Sequence, residues 1–375
     1  MLLTIPIGAI WISSPYLLGL VVPDQHLADL AGGYLRILIF GAPGYALFEA
    51  GKKYMQAQGI HHASTAVLAF LAPLNAIMNF ALVWDEFLGL GLGFYGAPMA
   101  VVITNWLMPL FLAYYAIYID GSQCWHPLSW RALTNWGPLL KLALPGVATI
   151  VSEFLAFELL TLFSSYFGNS TLAAQSILAT LMSLIYQVPF SMSISSCTTV
   201  AQYVGAGNIA AARRAAYVAM VTAIGFGIFD CFVLIAASEH LGKLFSRDKE
   251  VIAIVAQALP ICAAFQVVDV LASVTGGILR GQGRQHIAGI VQVPAYYCLA
   301  IPVSLYTSFK LGWGIRGLWA GCGVALGATA LVQTVAVLVG NWEKIVEDAK
   351  NRINDENAKQ VSEEEEDGMR VRLLS

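Results

Sequence analysis

Charge is what this chain of 375 residues has least of. Asp, Glu, Lys and Arg make up 11% of it, against 58% hydrophobic residues and a mean hydropathy of +0.70. A soluble globular chain carries about 25% charged residues, so a water-facing shell over most of the surface is excluded and the chain reads as an integral membrane protein. The charges it has are uneven. From Glu343 to Ser375 there are 10 acidic and 6 basic residues. The net charge of −3 therefore belongs to the tail and does not point to acidic or basic substrates. No nucleic-acid partner is expected.

Other absences exclude further classes. The six cysteines (124, 197, 231, 262, 298 and 322) stand singly with no CxxC or other metal spacing, so they read as packing residues and no metal is expected. Gly205, Ala206 and Gly207 are followed by no Lys-Ser/Thr pair, which excludes a phosphate-binding loop and with it an ATP-driven pump. No run of about ten residues alternates apolar with polar, as a membrane β-barrel would require. The apolar start lacks a basic region and a convincing small-residue cleavage site, so 3–22 reads as a true span.

Apolar runs long enough to cross a bilayer, roughly 20 residues each, are what fills the chain. About ten are expected, near 3–22, 30–51, 63–84, 95–118, 138–166, 171–200, 213–238, 251–276, 287–309 and 316–341. The fold class is all-α integral membrane. Retention of Lys and Arg in cytoplasmic loops puts Lys52, Lys53, Arg131, Arg213, Arg214, Arg280 and Arg284 inside. Both ends are then inside.

An internal repeat organises these spans. YMQAQGIHHASTAVLAFLAPLNAIMNF, from Tyr54, parallels ILRGQGRQHIAGIVQVPAYYCLAIPVS, from Ile278. Each has a Gln-Gly at a helix end, a His soon after, a Pro in the next helix, and then a glycine-rich loop: GLGLGFYGAPMA from Gly89 and KLGWGIRGLWAG from Lys310. Both copies run the same way through the membrane, so two parallel-repeat lobes are expected. The expected boundaries are 1–119 for the first lobe, 120–137 for a cytoplasmic linker, 138–341 for the second lobe and 342–375 for a charged, disordered tail. The second lobe has six helices and the first only four, so two helices are expected to be missing at the amino end.

Within this apolar setting the run 142–167 carries Glu153 and Glu158 near its middle. A carboxylate at the centre of a membrane helix costs about 2.5 to 3.5 kcal/mol and normally faces a cavity or a partner. A carboxylate in low dielectric also holds its proton more tightly than in water, so proton and organic cation can compete for one charge. The two lie five residues apart, about 140° around an ideal helix, so they do not share a narrow face. Asn75 and Asn79 read first as interhelical hydrogen-bonding residues, with Asn75 a candidate for cavity lining. Tyr296 and Tyr297 could stack on a cation, and Tyr297 is taken as cavity-lining. Glu49 is expected to pair with Lys53. For Asp230 a structural role is at least as well supported as a functional one.

Several motifs in order, SEFLAFE (152–158), AAQSI (173–177), YQVPFSMSISSCTTVAQYVGAGN (186–208), AARR (211–214) and TGGILRGQGRQ (275–285), make the chain resemble the multidrug and toxic compound extrusion (MATE) family, in its eukaryotic, fungal-like branch. The resemblance implies a secondary antiporter that expels small organic, mostly cationic compounds in exchange for protons, with sodium the less favoured coupling ion. No cofactor, no enzymatic activity and a monomer in the plasma or vacuolar membrane follow from it. It carries Glu153, Glu158 and Asp269 over as substrate- and proton-binding residues. Thr180 stands where animal members carry a further glutamate, and Gln266 where a His is common; both are candidate cavity-lining residues. A flippase for lipid-linked oligosaccharides, which would need a basic cavity, and a non-transporting remnant are the alternatives.

Overall fold

The computed structural model describes residues 4–19, 25–84, 91–121, 123, 136–351 and 354. The chain divides into two compact units, Met1–Ala132 and Leu133–Ser375. Every regular element among the described residues is helical. Most of the expected linker 120–137 and the tail beyond 354 lie outside the described residues.

The first unit contains α1 (Thr4–Ile12), α2 (Ser14–Gly19), α3 (Gln25–Leu38), α4 (Ala42–Ala57), α5 (His62–Val83) and α6 (Gly96–Tyr118). The single span expected over 3–22 is broken at Ser13. Pro15 has no N–H to give the Trp11 carbonyl, and the Ser14 hydroxyl donates to that carbonyl instead at 2.7 Å. The span expected over 30–51 is a pair of helices bent by 50°. At the bend the Trp106 indole N–H donates to the Phe40 carbonyl at 2.8 Å, satisfying a backbone group that apolar surroundings would leave costly. A Cβ added at Gly44 would lie 2.6 Å from the Asn105 carbonyl oxygen, so glycine there lets α4 and α6 meet backbone to backbone. Glu49 accepts from Lys52 Nζ at 2.6 Å, while Lys53 Nζ donates to Gln56 at 3.2 Å. The acid pairs one residue earlier than expected.

The second unit contains α7 (Trp136–Ser165), α8 (Asn169–Gly205), α9 (Ile209–Phe245), α10 (Lys249–Gly281), α11 (Gln285–Lys310) and α12 (Ile315–Leu338), followed by α13 over 342–351. Helices α8, α9 and α10 run 37, 37 and 33 residues. At about 1.5 Å per residue they outreach a hydrocarbon core of about 30 Å. Asn208 and Asp248 start α9 and α10 by accepting from the Ala211 and Glu250 amides at 3.0 and 2.9 Å, as N-caps do. Among the described residues eight helices are long and apolar enough to cross a membrane, nine if the bent pair counts as one span, against the ten expected.

Buried Trp319 on α12 centres this unit. It stacks on Phe265 of α10 at 6.2 Å and donates its indole N–H to Gln175 of α8 at 2.9 Å. Gly277 and Gly281 of α10, four residues apart, press on the Ser193 and Cys197 carbonyls of α8. That small-residue stripe lets α8 and α10 approach closely.

The repeat recurs as backbone geometry. Gly59 and Gly283 both have positive φ, 82° and 70°. At each, the following amide bonds back five residues, Ile60 to Met55 at 3.0 Å and Arg284 to Leu279 at 2.8 Å. This is the closure of a helix by a left-handed glycine. In the two glycine-rich loops, Gly91 and Gly312, then Gly93 and Gly314, again have positive φ.

A disordered tail was expected from 342 on, yet 342–351 is helical. Asn341 caps it, accepting from the Glu343 and Lys344 amides at 3.1 and 3.2 Å. Trp342, Ile345 and Val346 are buried in one cluster with Val270, Val274 and Val337. Spacing of three and four residues puts these apolar side chains on one face, which a reading by charge alone overlooks.

Candidate functional site

The carboxylate of Glu153 enters the second unit from α7. Gln292 Nε2 donates to its Oε2 at 3.0 Å, and the Tyr296 hydroxyl donates to its Oε1 at 3.4 Å. Both partners lie on α11, one turn apart. Just after Pro294 that helix widens into a π-helical stretch, Ala295–Ala300. Such a bulge is a frequent device at functional sites, and here Tyr296, 1% exposed, sits in it.

Asp269 comes from α10, partly buried, and lies within electrostatic reach of Glu153. Tyr186 of α8 lies within electrostatic range of Glu153, Asp269 and Arg280. Arg280 Nη2 donates to Ser193 Oγ at 2.7 Å, and Ser193 Oγ donates to the Ser273 carbonyl at 2.6 Å. A hydrogen-bonded line thus follows the α8–α10 seam from the basic Arg280 through Ser193 to the Ser273 carbonyl. The close approach at Gly277 and Gly281 is what brings the line together.

The other sequence candidates sit around this pair unevenly. Glu158 is exposed on the second unit, as the 140° spacing implies, so the structure does not bring it to Glu153. Thr180 is also exposed, and its hydroxyl donates to the Ser176 carbonyl at 2.8 Å. Tyr297 donates to the Ser152 carbonyl at 3.4 Å and so braces the helix bearing Glu153. Gln266, one turn before Asp269, is 2% exposed. Its amide nitrogen contacts Met182 Sδ at 3.4 Å, and its oxygen is buried without a partner. Asn75 is in the first unit, where it donates to Thr104 Oγ1 at 2.7 Å and ties α5 to α6.

Sequence reasoning missed Gln292, Tyr186 and Arg280, and passed over Tyr296 in favour of Tyr297. Signals were present: Tyr186 and Arg280 both stand inside the motifs quoted above, and Gln292 precedes Tyr296 by four residues. In the π-helical stretch both adjacent tyrosines reach α7, Tyr296 at the Glu153 carboxylate and Tyr297 at the Ser152 carbonyl.

Two carboxylates and a tyrosine in an apolar setting, with one arginine at electrostatic range, can take up and release protons and hold an organic cation.

Comparison with known proteins agrees with this architecture. The family model described as MatE matches residues 1–81 and 145–306. An uncharacterised transporter of Saccharomyces cerevisiae is 40% identical over 342 residues, covering 91% of this chain and 49% of that protein. One from Schizosaccharomyces pombe is 40% identical over 355 residues, covering 95% and 66%. Human multidrug and toxin extrusion protein 1 is 29% identical over 352 residues, covering 93% and 61%. The chain thus spans about half to two thirds of the length of these relatives. A crystal structure of a eukaryotic MATE transporter superposes with a TM-score of 0.85 at 28% identity, covering 94% of this chain and 78% of that one. The chain, an integral multi-pass membrane protein, belongs to the MatE family.

Proposed function

We propose that this protein is a secondary transporter that expels small organic cations in exchange for protons, and that Glu153 and Asp269 are the groups the two ions share. The observation that carries the reading is the setting of Glu153. It stands in a membrane-crossing helix, is held by neutral donors from α11, and has a second carboxylate in electrostatic reach. A lone structural carboxylate would need no second charge within electrostatic reach, and two like charges together favour a bound cation. Each is thereby made responsive to a proton or cation arriving at the other. The family's named relatives include multidrug and toxin extrusion proteins, which supports the same substrate class. Glu158, exposed and not brought to Glu153, stands outside this shared pair.

The test is exchange in vesicles. The full-length protein is reconstituted, a proton gradient is imposed, and uptake of a fluorescent organic cation is followed. Gradient-driven exchange is expected, with loss of at least about tenfold in Glu153→Gln and in Asp269→Asn, the effect of deleting a charged hydrogen-bonding group. Full exchange in both variants would overturn the assignment. Equal exchange with a sodium gradient and no pH difference would overturn proton coupling.

A further inference from the structure

At the end of the second unit where the Gln-Gly turn lies, about two helical turns along α7 from Glu153, a cavity of about 1140 Å³ opens between Pro145 of α7, the start of α11, the end of α12 and α13. Its polar wall is formed by Gln282, Arg284, His286, Lys344 and Asp348. Gln282 is 1% exposed, and its amide nitrogen is buried with no hydrogen-bond partner. A buried donor left unpaired costs about 1 to 3 kcal/mol, so something is expected to accept from it. Helix α11 begins in the same cavity, with Arg284 at its cap position and the Arg284 side chain turned to other partners. The first amides of such a helix end, with its positive dipole, favour an anion.

The charges agree. Arg284 spends one nitrogen on the Ala336 carbonyl at 3.2 Å and on the Gln282 oxygen at 3.4 Å, which leaves the rest of its planar fork for an oxyanion. Lys344 adds a second cation and Asp348 a single opposing charge. The other wall is apolar. Val332, Val335 and Val339 line it and are 44%, 48% and 79% exposed on the outer side of α12. An anionic head beside an exposed apolar stripe is the outline of a lipid, and basic pockets between membrane helices are known to take such head groups.

We propose that this cavity binds the phosphate of an anionic membrane lipid, Arg284 and Lys344 holding its charge, Gln282 donating to it, and the valines of α12 lying along its acyl chain. α13 supplies Lys344, so the bound lipid also clamps that helix to the unit. The Gln-Gly turn of the first unit is an internal control. Gln58 likewise has an unpartnered amide nitrogen, but Ile60 stands where the second copy has Arg284.

The experiment uses the full-length protein in nanodiscs of phosphatidylcholine alone, or with added phosphatidylserine or a phosphoinositide, and reads thermal stability and retained lipid by native mass spectrometry. The anionic lipid is expected to raise the melting temperature and to remain bound. Its apparent affinity should fall about tenfold in Arg284→Gln and in Lys344→Gln, the loss of one charged hydrogen bond each, and stay near the parent in Gln58→Leu. Should Arg284→Gln fail to fold, Gln282→Leu, which keeps every charge, is expected to weaken retention on its own. Millimolar inorganic phosphate forms the second arm. Stabilisation by phosphate that equals that by lipid would overturn the lipid assignment. No preference for anionic over neutral lipid, or an undiminished preference in both charge variants, would overturn the site.

Discussion

Two stretches of this molecule, 57–118 in the first unit and 281–338 in the second, share their turns and differ in their chemistry. Glycines at 59 and 283, 91 and 312, 93 and 314 all have positive φ. Between them each copy has a helix with a proline, Pro73 in α5 and Pro294 in α11. In the first copy the helix stays α-helical past its proline and Asn75 donates to Thr104. In the second it widens into π-helix, and Tyr296, which stands as far past Pro294 as Asn75 does past Pro73, donates to Glu153. The turns recur in both copies because each needs a glycine at positive φ. The side chains between them were free to become a joint in one copy and a carboxylate cradle in the other.

That contrast can be broken or sharpened by substitution. The largest effect is expected from Glu153→Gln or Asp269→Asn, which should abolish proton-driven exchange while thermal unfolding in detergent stays near the parent; Asn75→Ala should leave exchange measurable. Next comes the stripe that assembles the second copy. Gly281→Val drives a Cβ against the Cys197 carbonyl, where an added one would lie 2.5 Å away, and should cost about 3 kcal/mol or more by overpacking, read as a lower melting temperature. Trp342→Ala is expected to cost about 3 kcal/mol and to make 342–351 sensitive to protease, because its indole is 6% exposed. Trp319→Phe removes the donor to Gln175 and leaves a buried acceptor, for about 1 to 3 kcal/mol. Smallest is Asn75→Ala, at about 1 kcal/mol. A cost there as large as that of Gly281→Val would show that the first copy depends on its polar joint as much as the second does on its glycines.

The patterns that survived into the structure are those with a local cause. Apolar run length placed α5 through α12 near their observed positions, and Gln-Gly with the spaced loop glycines announced turns that only glycine adopts without strain. Where the reading fell short, the cause was an irregular local bond in one place and a contact between distant segments in the other. The span over 3–22 breaks because Pro15 withholds an amide that Ser14 replaces. The tail's first turns fold because Trp342, Ile345 and Val346 find a surface made by α10 and α12.

By itself, then, the sequence determined the membrane class, the helical elements, the paired turns and the identity of Glu153 and Asp269 as carboxylates in apolar helices. The energetic penalty on a charge in hydrocarbon can be read residue by residue. Only the tertiary structure decided which carboxylate keeps which company. Glu153 meets Gln292 and Tyr296 because α7 packs against α11, and Arg280 reaches Ser193 across the seam where Gly277 and Gly281 let α8 and α10 close on each other. Side chains 139 and 143 residues apart become neighbours only when the packing of helix on helix is fixed, and no spacing along the chain encodes that distance.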